Sequence, residues 1–346
     1  MSLTELLLQA KAKKAQQFLF VVGSEPRAKI NSSWVSLRKS PALVTEWNLL
    51  QQSFLNGQQK AMLDTRGVVV GEAFIESTRF GFSFFQSETT MKAVLQMDSD
   101  GGKQELAFPP SVMESCLRMK GLVILSGPGD AGQTLAVHRL LQKLNEERSF
   151  LGVVFSQKMF PQIREEKGSF VYQNYSLTEG SLEGLMSGAD VVVFDGVQSD
   201  EEFIRAMEFA EKGLFVICSM AAPTMGNTLR RAMSAVSEAF SEMGVARLSE
   251  VLSLCVGQYA MAGLGGDQAY AHEVLLVTPQ VRHLIEHKDV RGIESLLKGA
   301  PENSGLISLN QSLLQNLIRR KVDIKTAFEV SQDPDGLDLL LKKVGI

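Results

Sequence analysis

The residues with the clearest chemical potential lie in one glycine-rich turn, Gly127-Pro-Gly129-Asp-Ala-Gly132-Gln133-Thr134. Their spacing matches G-x-x-x-x-G-K-[ST], a loop whose backbone N–H groups hold phosphate oxygens, except that Gln133 stands where the lysine belongs. An apolar strand is predicted before the turn and an amphipathic helix after it, the setting in which such a loop binds anions. The spacing therefore makes Gly127, Gly129, Gly132, Gln133 and Thr134 candidate contacts of a nucleotide in a vestigial binding loop.

The missing lysine removes the positive charge that would face the β- and γ-phosphates. At about 4 Å and an effective dielectric constant near 20, such a charge contributes roughly 4 kcal/mol. The Gln133 amide can donate a hydrogen bond but neutralises no charge, and Asp130 adds a carboxylate to the same loop. We therefore predict that hydrolysis has been lost. The glycines have two interpretations that the motif does not separate, an anion cradle and turn positions that tolerate positive φ.

Another feature, an acidic residue at the end of an apolar run, favours some nucleotide binding. The run Val191-Val-Val-Phe-Asp195 has the pattern of a strand that carries a Mg²⁺-binding acid at its carboxyl end, and Thr134 would be the other ligand on the metal side. Together they predict at most weak binding of a Mg-nucleotide. The alternative is that Asp195 is acidic only because strand ends face solvent.

Other catalytic and metal-binding patterns are weaker. His283 and His287 lie four residues apart on a predicted helix with Glu286 beside them, but two ligands without a third are a poor zinc signal. Cys218 falls within an apolar strand and is predicted to be a core thiol. Because neither a nucleophile elbow nor a Cys/His/Asp set is visible, we predict no catalytic residues and no metal site.

Composition narrows the class of protein. The chain has 346 residues, 45% of them hydrophobic, and a net charge of -4, which argues against a nucleic-acid partner. Three widely spaced cysteines fit reduced thiols and a cytoplasmic location. Since no apolar run reaches the length of roughly 18 residues that spans a bilayer, and the first residues lack signal-peptide architecture, we predict no direct membrane insertion.

The pattern of elements changes once along the chain. Residues 1–108 predict a small α+β domain, with a hairpin at Ala28–Ile30 and Trp34–Leu37 and a helix that starts at Ser40-Pro41. Residues 109–346 alternate apolar strands and helices, which is typical of a parallel sheet buried on both faces. The four clearest strands are Leu122–Leu125, Gly152–Phe155, Val191–Phe194 and Leu214–Ser219. Helices from about residue 279 onward form a C-terminal helical tail.

Two segments resemble the type IV pilus retraction motors, a branch of the secretion ATPases. The segment from Ala271 to Glu286 is similar to the family's A-H-E-…-T-P-A-I-R-N-L-I-R-E, and the segment from Gly213 to Arg231 is similar to its G-H-L-V-F-G-T-L-H-T-T-…-T-I-x-R. The resemblance covers almost the whole chain. It implies an α/β fold with a RecA-like P-loop NTPase core, a PAS-like N-terminal domain, and assembly as a hexameric ring in the cytoplasm at a pilus base.

The chain departs from that family at each of its catalytic positions. The family's catalytic glutamate falls within Val153–Lys158, a stretch without an acid. Its second acidic residue, the following arginine, the histidine of the His-box and three arginines of the N-terminal domain fall on uncharged residues: Gly196, Gln198, Ala221, Gly81, Thr89 and Gln96. The resemblance therefore implies a degenerate member that lacks the catalytic residues.

One helix of the resemblance is a candidate partner-binding surface, because the family requires it for retraction. It carries Arg282, Leu284 and Ile285. The alternative is an amphipathic helix that packs its apolar residues on the core and leaves Arg282 in solvent.

Our leading hypothesis is a pseudo-ATPase that acts as a protein-interaction or regulatory subunit of a pilus or related motility or secretion machine. Its partner would be a pilus motor, a platform protein or a second copy, as a homo- or hetero-oligomer. The alternatives are a sensor of a small molecule or signalling nucleotide, and a weak ATPase with relocated acids such as Asp190 or Asp200.

Overall fold

The computed structural model describes residues 3–13, 15, 17–30, 33–75, 78–97, 107–129, 131–156, 160–161, 163, 166–173, 188–265, 268–301 and 304–345. The chain divides into two compact units, residues 1–103 and 104–346. Each unit is built around its own sheet. The sequence placed this boundary a few residues later, after residue 108.

The first unit is a six-stranded antiparallel sheet covered by helices. Its strands lie in the order β3-β2-β1-β6-β5-β4. The core is aromatic, and the ring of Trp47 lies between those of Phe20 and Phe84. The elements are α1 (Leu3–Ala12), β1 (Gln17–Val21), β2 (Arg27–Ile30), β3 (Ser33–Ser36), α2 (Val44–Phe54), α3 (Gly57–Arg66), β4 (Val68–Ile75), β5 (Thr78–Gln86) and β6 (Met91–Met97).

The predicted hairpin is present, because Ala28 pairs with Val35 and Lys29 with Trp34. The PAS-like character of this unit stays a prediction.

The second helix starts later than the sequence suggested, at Val44 rather than Ser40-Pro41. Ala42 forms a bridge with Val22, which keeps the chain extended up to that point. The Glu46 side chain then accepts a hydrogen bond from the Leu43 N–H at 2.9 Å and begins the helix. A tertiary strand contact therefore overrides the proline signal.

The second unit contains a seven-stranded sheet in the order β13-β12-β7-β11-β10-β8-β9. Its strands are parallel except for the edge strand β13, which pairs with β12 in the antiparallel sense. The elements are α4 (Pro110–Cys116), β7 (Leu122–Gly127), α5 (Gln133–Glu147), β8 (Leu151–Ser156), β9 (Ser169–Gln173), β10 (Val191–Val197), α6 (Asp200–Glu211), β11 (Phe215–Ala221), α7 (Met225–Phe240), α8 (Glu242–Val251), β12 (Leu252–Ala262), β13 (Gln268–Leu276), α9 (Pro279–Glu286), α10 (Val290–Lys298), α11 (Leu309–Ile318), α12 (Ile324–Val330) and α13 (Pro334–Val344).

The four predicted apolar strands all lie in this sheet, so the prediction of a parallel α/β core is confirmed. They are apolar throughout because helices cover both faces, and their residues divide between two buried clusters. The short edge strand β9 was not predicted. The last helices pack on β12 and β13 through a third cluster that includes Tyr259, Leu313 and Leu337. None of the described helices is both long enough and apolar enough to cross a bilayer.

The glycine-rich turn follows β7 and is held against β12. A Cβ atom added at Gly127 would collide with the backbone carbonyl of Gln258, whereas one added at Gly129 would meet nothing within 4 Å. Gly132 has φ +77° and is the residue before α5. Two of the three candidate glycines therefore have structural reasons to be glycine, namely close approach at Gly127 and positive φ at Gly132.

The Gln258 side chain, on β12, holds the same turn by hydrogen bonds. Its Nε2 donates to the carbonyls of Ala131 (2.7 Å) and Gly132 (3.0 Å), which leaves its Oε1 facing His272 Nε2 at 3.1 Å. Since Oε1 can only accept, His272 Nε2 carries the proton in this contact. His272 is buried beside the Phe108 ring, and burial lowers its pKa to about 4.

We expect Gly127→Ala to lower the free energy of unfolding by roughly 1–3 kcal/mol, because the new methyl group must displace backbone rather than a flexible side chain. Gly129→Ala is the matched control in the same turn and should change stability little. Urea denaturation of the full chain measures both. Equal losses for the two variants would contradict the steric role of Gly127.

The free energy of unfolding should fall by up to about 3 kcal/mol as the pH is lowered from about 6.5 to about 4. Over this range the unfolded state binds a proton on His272 that the folded state, with its pKa of about 4, does not. His272→Gln should flatten this acid limb, whatever its effect at neutral pH. Urea unfolding as a function of pH provides the measurement, with the exposed His287→Gln as control. An unchanged acid limb in His272→Gln would contradict this assignment.

Candidate functional site

Gln133 turns its side chain back onto its own loop. Its Nε2 donates to the carbonyls of Gly127 (2.8 Å) and Pro128 (2.9 Å). A glutamine amide has two N–H donors, and both are used in these bonds. The structure thus places a neutral, hydrogen-bonded group where the motif has a lysine. Asp130 lies outside the described residues.

Asp195 lies at the centre of a hydroxyl cluster and is only 3% exposed. Its carboxylate accepts hydrogen bonds from Thr134 Oγ1 (2.9 Å to Oδ2), Ser156 Oγ (3.0 Å) and Ser219 Oγ (2.7 Å). These hydroxyls come from the start of α5 and from the carboxyl ends of β8 and β11, the two neighbours of β10. The alternative that Asp195 is a solvated strand end is therefore wrong.

The cluster is chemically suited to a magnesium ion. Mg²⁺ prefers carboxylate, hydroxyl and water oxygens, and it is usually held by one or two protein groups together with substrate phosphates. Thr134 and Asp195 are in direct contact and are the residues that would hold the ion. When bound, the ion would neutralise the charge of a phosphate. The neutral side chain of Gln133 cannot do so.

Gly196 and Ala221, the described residues that the resemblance aligns with an acid and a histidine, provide no base at the carboxyl edge of the sheet. Gly196 follows Asp195 with φ +83°, at a register shift between β10 and β11. Its N–H donates to Ser219 Oγ at 2.8 Å. Ala221 ends β11, and the Gln198 carbonyl accepts a hydrogen bond from Arg231 at 2.8 Å. Residues 157 and 158 lie outside the described residues.

The two acids considered as relocated catalysts differ in position. Asp190 precedes β10, so it lies at the amino edge of the sheet, opposite the glycine turn, and its carboxylate accepts the Leu151 N–H at 2.9 Å. It cannot reach the site, so the suggestion that Asp190 is a relocated catalytic acid is wrong. Asp200 is exposed in the first turn of α6, just beyond the carboxyl end of β10.

Helix α9 packs its apolar face on the core. Val281 and Ile285 are completely buried, and Leu284 is half-buried against the same cluster. The prediction that Ile285 contacts a partner is therefore wrong in this structure. Arg282 is partly exposed and forms an ion pair with Glu250 at 2.6 Å.

Several residues that shape the site were missed in the sequence. Ser156 and Ser219 carry a usable signal, because each is the polar residue at the end of an apolar parallel strand, and such ends meet at one edge. Gln258 and His272 carry none, because they lie within strands more than a hundred residues from the turn that they support.

No protein-family model matches the chain. Over 224 residues, 63% of the chain, it is 24% identical to a twitching motility protein of Neisseria gonorrhoeae and covers 59% of that protein. It is 23% identical to the type IV pilus retraction ATPase PilT of Pseudomonas aeruginosa, again over 63% of the chain, and covers 64% of that protein. The matched region thus spans about three-fifths of each relative's length.

Solved structures show the same fold over nearly the whole chain. A crystal structure of the pilus retraction motor PilT with bound ADP matches with a TM-score of 0.84 at 20% identity, covering 98% of this chain and 99% of that one. The ATPase DotB of Legionella pneumophila matches with a TM-score of 0.76 at 12% identity, over 94% of each chain. The chain thus has the fold of these ATPases, and its second unit is consistent with a RecA-like P-loop core preceded by an N-terminal domain. The chain is therefore similar in sequence to the type IV pilus retraction ATPases and shares the fold of the retraction motor.

Proposed function

We propose that this chain is a non-hydrolysing relative of the pilus retraction ATPases that acts as a protein-interaction or regulatory subunit of a type IV pilus or a related motility or secretion machine. The observation that carries the proposal is the Gln133 side chain, whose amide is bonded to two carbonyls of its own loop. A phosphate approaching this loop would meet neither a positive charge nor a free donor from that residue.

The rest of the pocket supports the loss of turnover. Enzymes accelerate phosphoryl transfer chiefly by positioning the reactants and stabilising charge, and removing one preorganised donor typically costs about a hundred- to thousand-fold in rate. Here the lysine is replaced by Gln133, and Gly196 supplies no side chain beside Asp195. Several such losses in one site leave little of the rate enhancement.

The Thr134–Asp195 contact favours a second candidate function. Because this pair fits Mg²⁺, the pocket can bind a Mg-nucleotide weakly without turning it over. The chain would then be a sensor in which a small molecule or signalling nucleotide changes its contacts with other proteins. A rise in melting temperature with a Mg-nucleotide, without phosphate release, would favour this candidate over the first.

Purified protein should release no phosphate from ATP or GTP above the buffer rate. Gln133→Lys should raise the affinity for Mg-ATP by roughly tenfold or more, because it restores a positive charge near the phosphates. It should not restore hydrolysis, since Gly196 still provides no base. Calorimetry measures the affinity, and a phosphate-release assay measures the rate.

Gln133→Ala is the control for Gln133→Lys, because it removes the amide without adding charge and should give no gain in affinity. Phosphate release that scales with the wild-type concentration, and that Gln133→Ala abolishes, would overturn the proposal. Binding of Mg-ATP by the wild type without phosphate release would instead support the sensor.

The exposed side of α9 is the surface that we assign to a partner, which would be a pilus motor, a platform protein or a second copy of this chain in the cytoplasm. Arg282 is suited to this role because arginine is enriched among the few interface residues that contribute most of the binding energy. Its ion pair with Glu250 is largely accessible to solvent, so the fold depends little on it. Leu284, two residues further along the helix, is partly accessible.

Arg282→Glu should abolish binding to the partner while shifting the melting temperature by little. Pull-down assays with the retraction ATPase and the platform protein of the same organism, and sedimentation of the chain alone, test the three partners. Arg230→Glu is a matched control, because Arg230 forms a comparable exposed ion pair with Glu294 on the same unit. A large fall in melting temperature for Arg282→Glu, or equal losses of binding in both variants, would contradict this surface.

A further inference from the structure

Three potential metal ligands come together at the end of α9. They are His283, Glu286 and His287, and one ligand atom from each lies within 4.8 Å of the other two. All three side chains are exposed, and the two imidazole rings are 4.2 Å apart. The sequence suggested a histidine pair without a third ligand. The structure corrects this, because a carboxylate oxygen of Glu286 lies within 4.8 Å of a ring nitrogen of each histidine.

We propose that His283, Glu286 and His287 form a surface site for one divalent transition-metal ion of the zinc, nickel, cobalt or copper class. Two imidazoles with one carboxylate suit these borderline ions, whereas Mg²⁺ and Ca²⁺ prefer sites made entirely of oxygen. The site is separate from the glycine turn and from Asp195, and it does not depend on the proposed loss of hydrolysis.

One of the imidazoles is already oriented for metal binding. His287 Nδ1 lies 2.8 Å from the backbone carbonyl of His283, and because a carbonyl can only accept, Nδ1 carries the proton. This leaves the Nε2 lone pair available to bind an ion. A ligand histidine characteristically donates its other ring N–H to a carbonyl or carboxylate in this way.

The other two ligands are held by the same helix. Ser249 Oγ forms a hydrogen bond of 3.1 Å with Glu286 Oε1, which restrains the carboxylate. His283 lies between Val281 and Ile285, whose buried side chains fix α9 on the core. In a tetrahedral site with bonds of about 2.0–2.1 Å, ligand atoms are about 3.3 Å apart. Exposed side chains can close the remaining gap by small rotamer changes.

The chain offers little competition for such an ion. Its other two histidines, His138 and His272, are only 5% and 4% exposed. All three cysteines are buried, and burial raises the pKa of each thiol, so thiolate ligands are not formed at the surface. Of the four histidines, all of which lie within the described residues, His283 and His287 are therefore the two that are exposed.

The coordination is incomplete with three protein ligands. Zinc sites that keep an open position carry three protein ligands and a fourth from water or another molecule. Here the open side faces solvent. A ligand from a bound molecule could complete the sphere there.

Titration of the chelator-treated full-length chain with Zn²⁺, followed by calorimetry, tests the proposal, and Co²⁺ provides a visible absorption band as an independent signal. We expect one ion per chain. His283→Asn and His287→Asn should each weaken binding by roughly tenfold or more, and the double variant should abolish the cobalt band. Glu250→Gln is the matched control, because it removes an exposed carboxylate that contacts the same helix outside the cluster, and it should leave the affinity unchanged.

Two results would overturn this site. The first is a wild-type chain that gives neither binding heat with Zn²⁺ nor a cobalt band. The second is binding that persists in the double histidine variant or that Mg²⁺ matches in affinity, since either result would require ligands other than the imidazoles. The variants change exposed positions, so circular dichroism should show the wild-type spectrum and exclude misfolding as the cause of a loss.

Discussion

Two glutamine amides satisfy four backbone carbonyls of the glycine turn, and the geometry of the turn depends on these bonds. Gln133 holds the carbonyls of Gly127 and Pro128, and Gln258 holds those of Ala131 and Gly132. Backbone polar groups removed from water need such partners. The turn can therefore keep the shape of an anion-binding loop without an anion, because its carbonyls are satisfied from within the protein.

The Asp195 cluster likewise satisfies a buried polar group by hydrogen bonds from within the protein. A buried carboxylate is costly unless it is well hydrogen-bonded, and three hydroxyls from α5, β8 and β11 reach this one. Because each hydroxyl belongs to a different element, the carboxylate fixes the position of the helix relative to two strands. Asp195 thus has a structural reason to be present that is independent of any nucleotide.

The sequence predicted best those features that depend on local pattern. Continuous apolar runs identified the strands such as Val191–Phe194, and the spacing of Gly127 and Gly132 identified the turn. What it missed depends on contacts that are distant in the chain. The start of α2 is set by the bridge between Ala42 and Val22, and the turn is supported by Gln258. Ile285 illustrates a third case, since the helical period fits either a core face or a contact face and only the fold decides.

The contact between the tail helices and β13 has a consequence for how the chain matures. Ser312 Oγ, on α11, accepts a hydrogen bond of 2.9 Å from the backbone N–H of His272, the residue that orients Gln258 beneath the turn. Asn316 on the same helix donates to the Tyr270 carbonyl at 3.0 Å. Domains assemble as units while synthesis proceeds from the amino terminus. A ribosome-bound chain that has already formed β7 and α5 therefore lacks the Gln258 hydrogen bonds to its glycine turn until β12 has emerged, and the bonds from α11 to β13 can form only later.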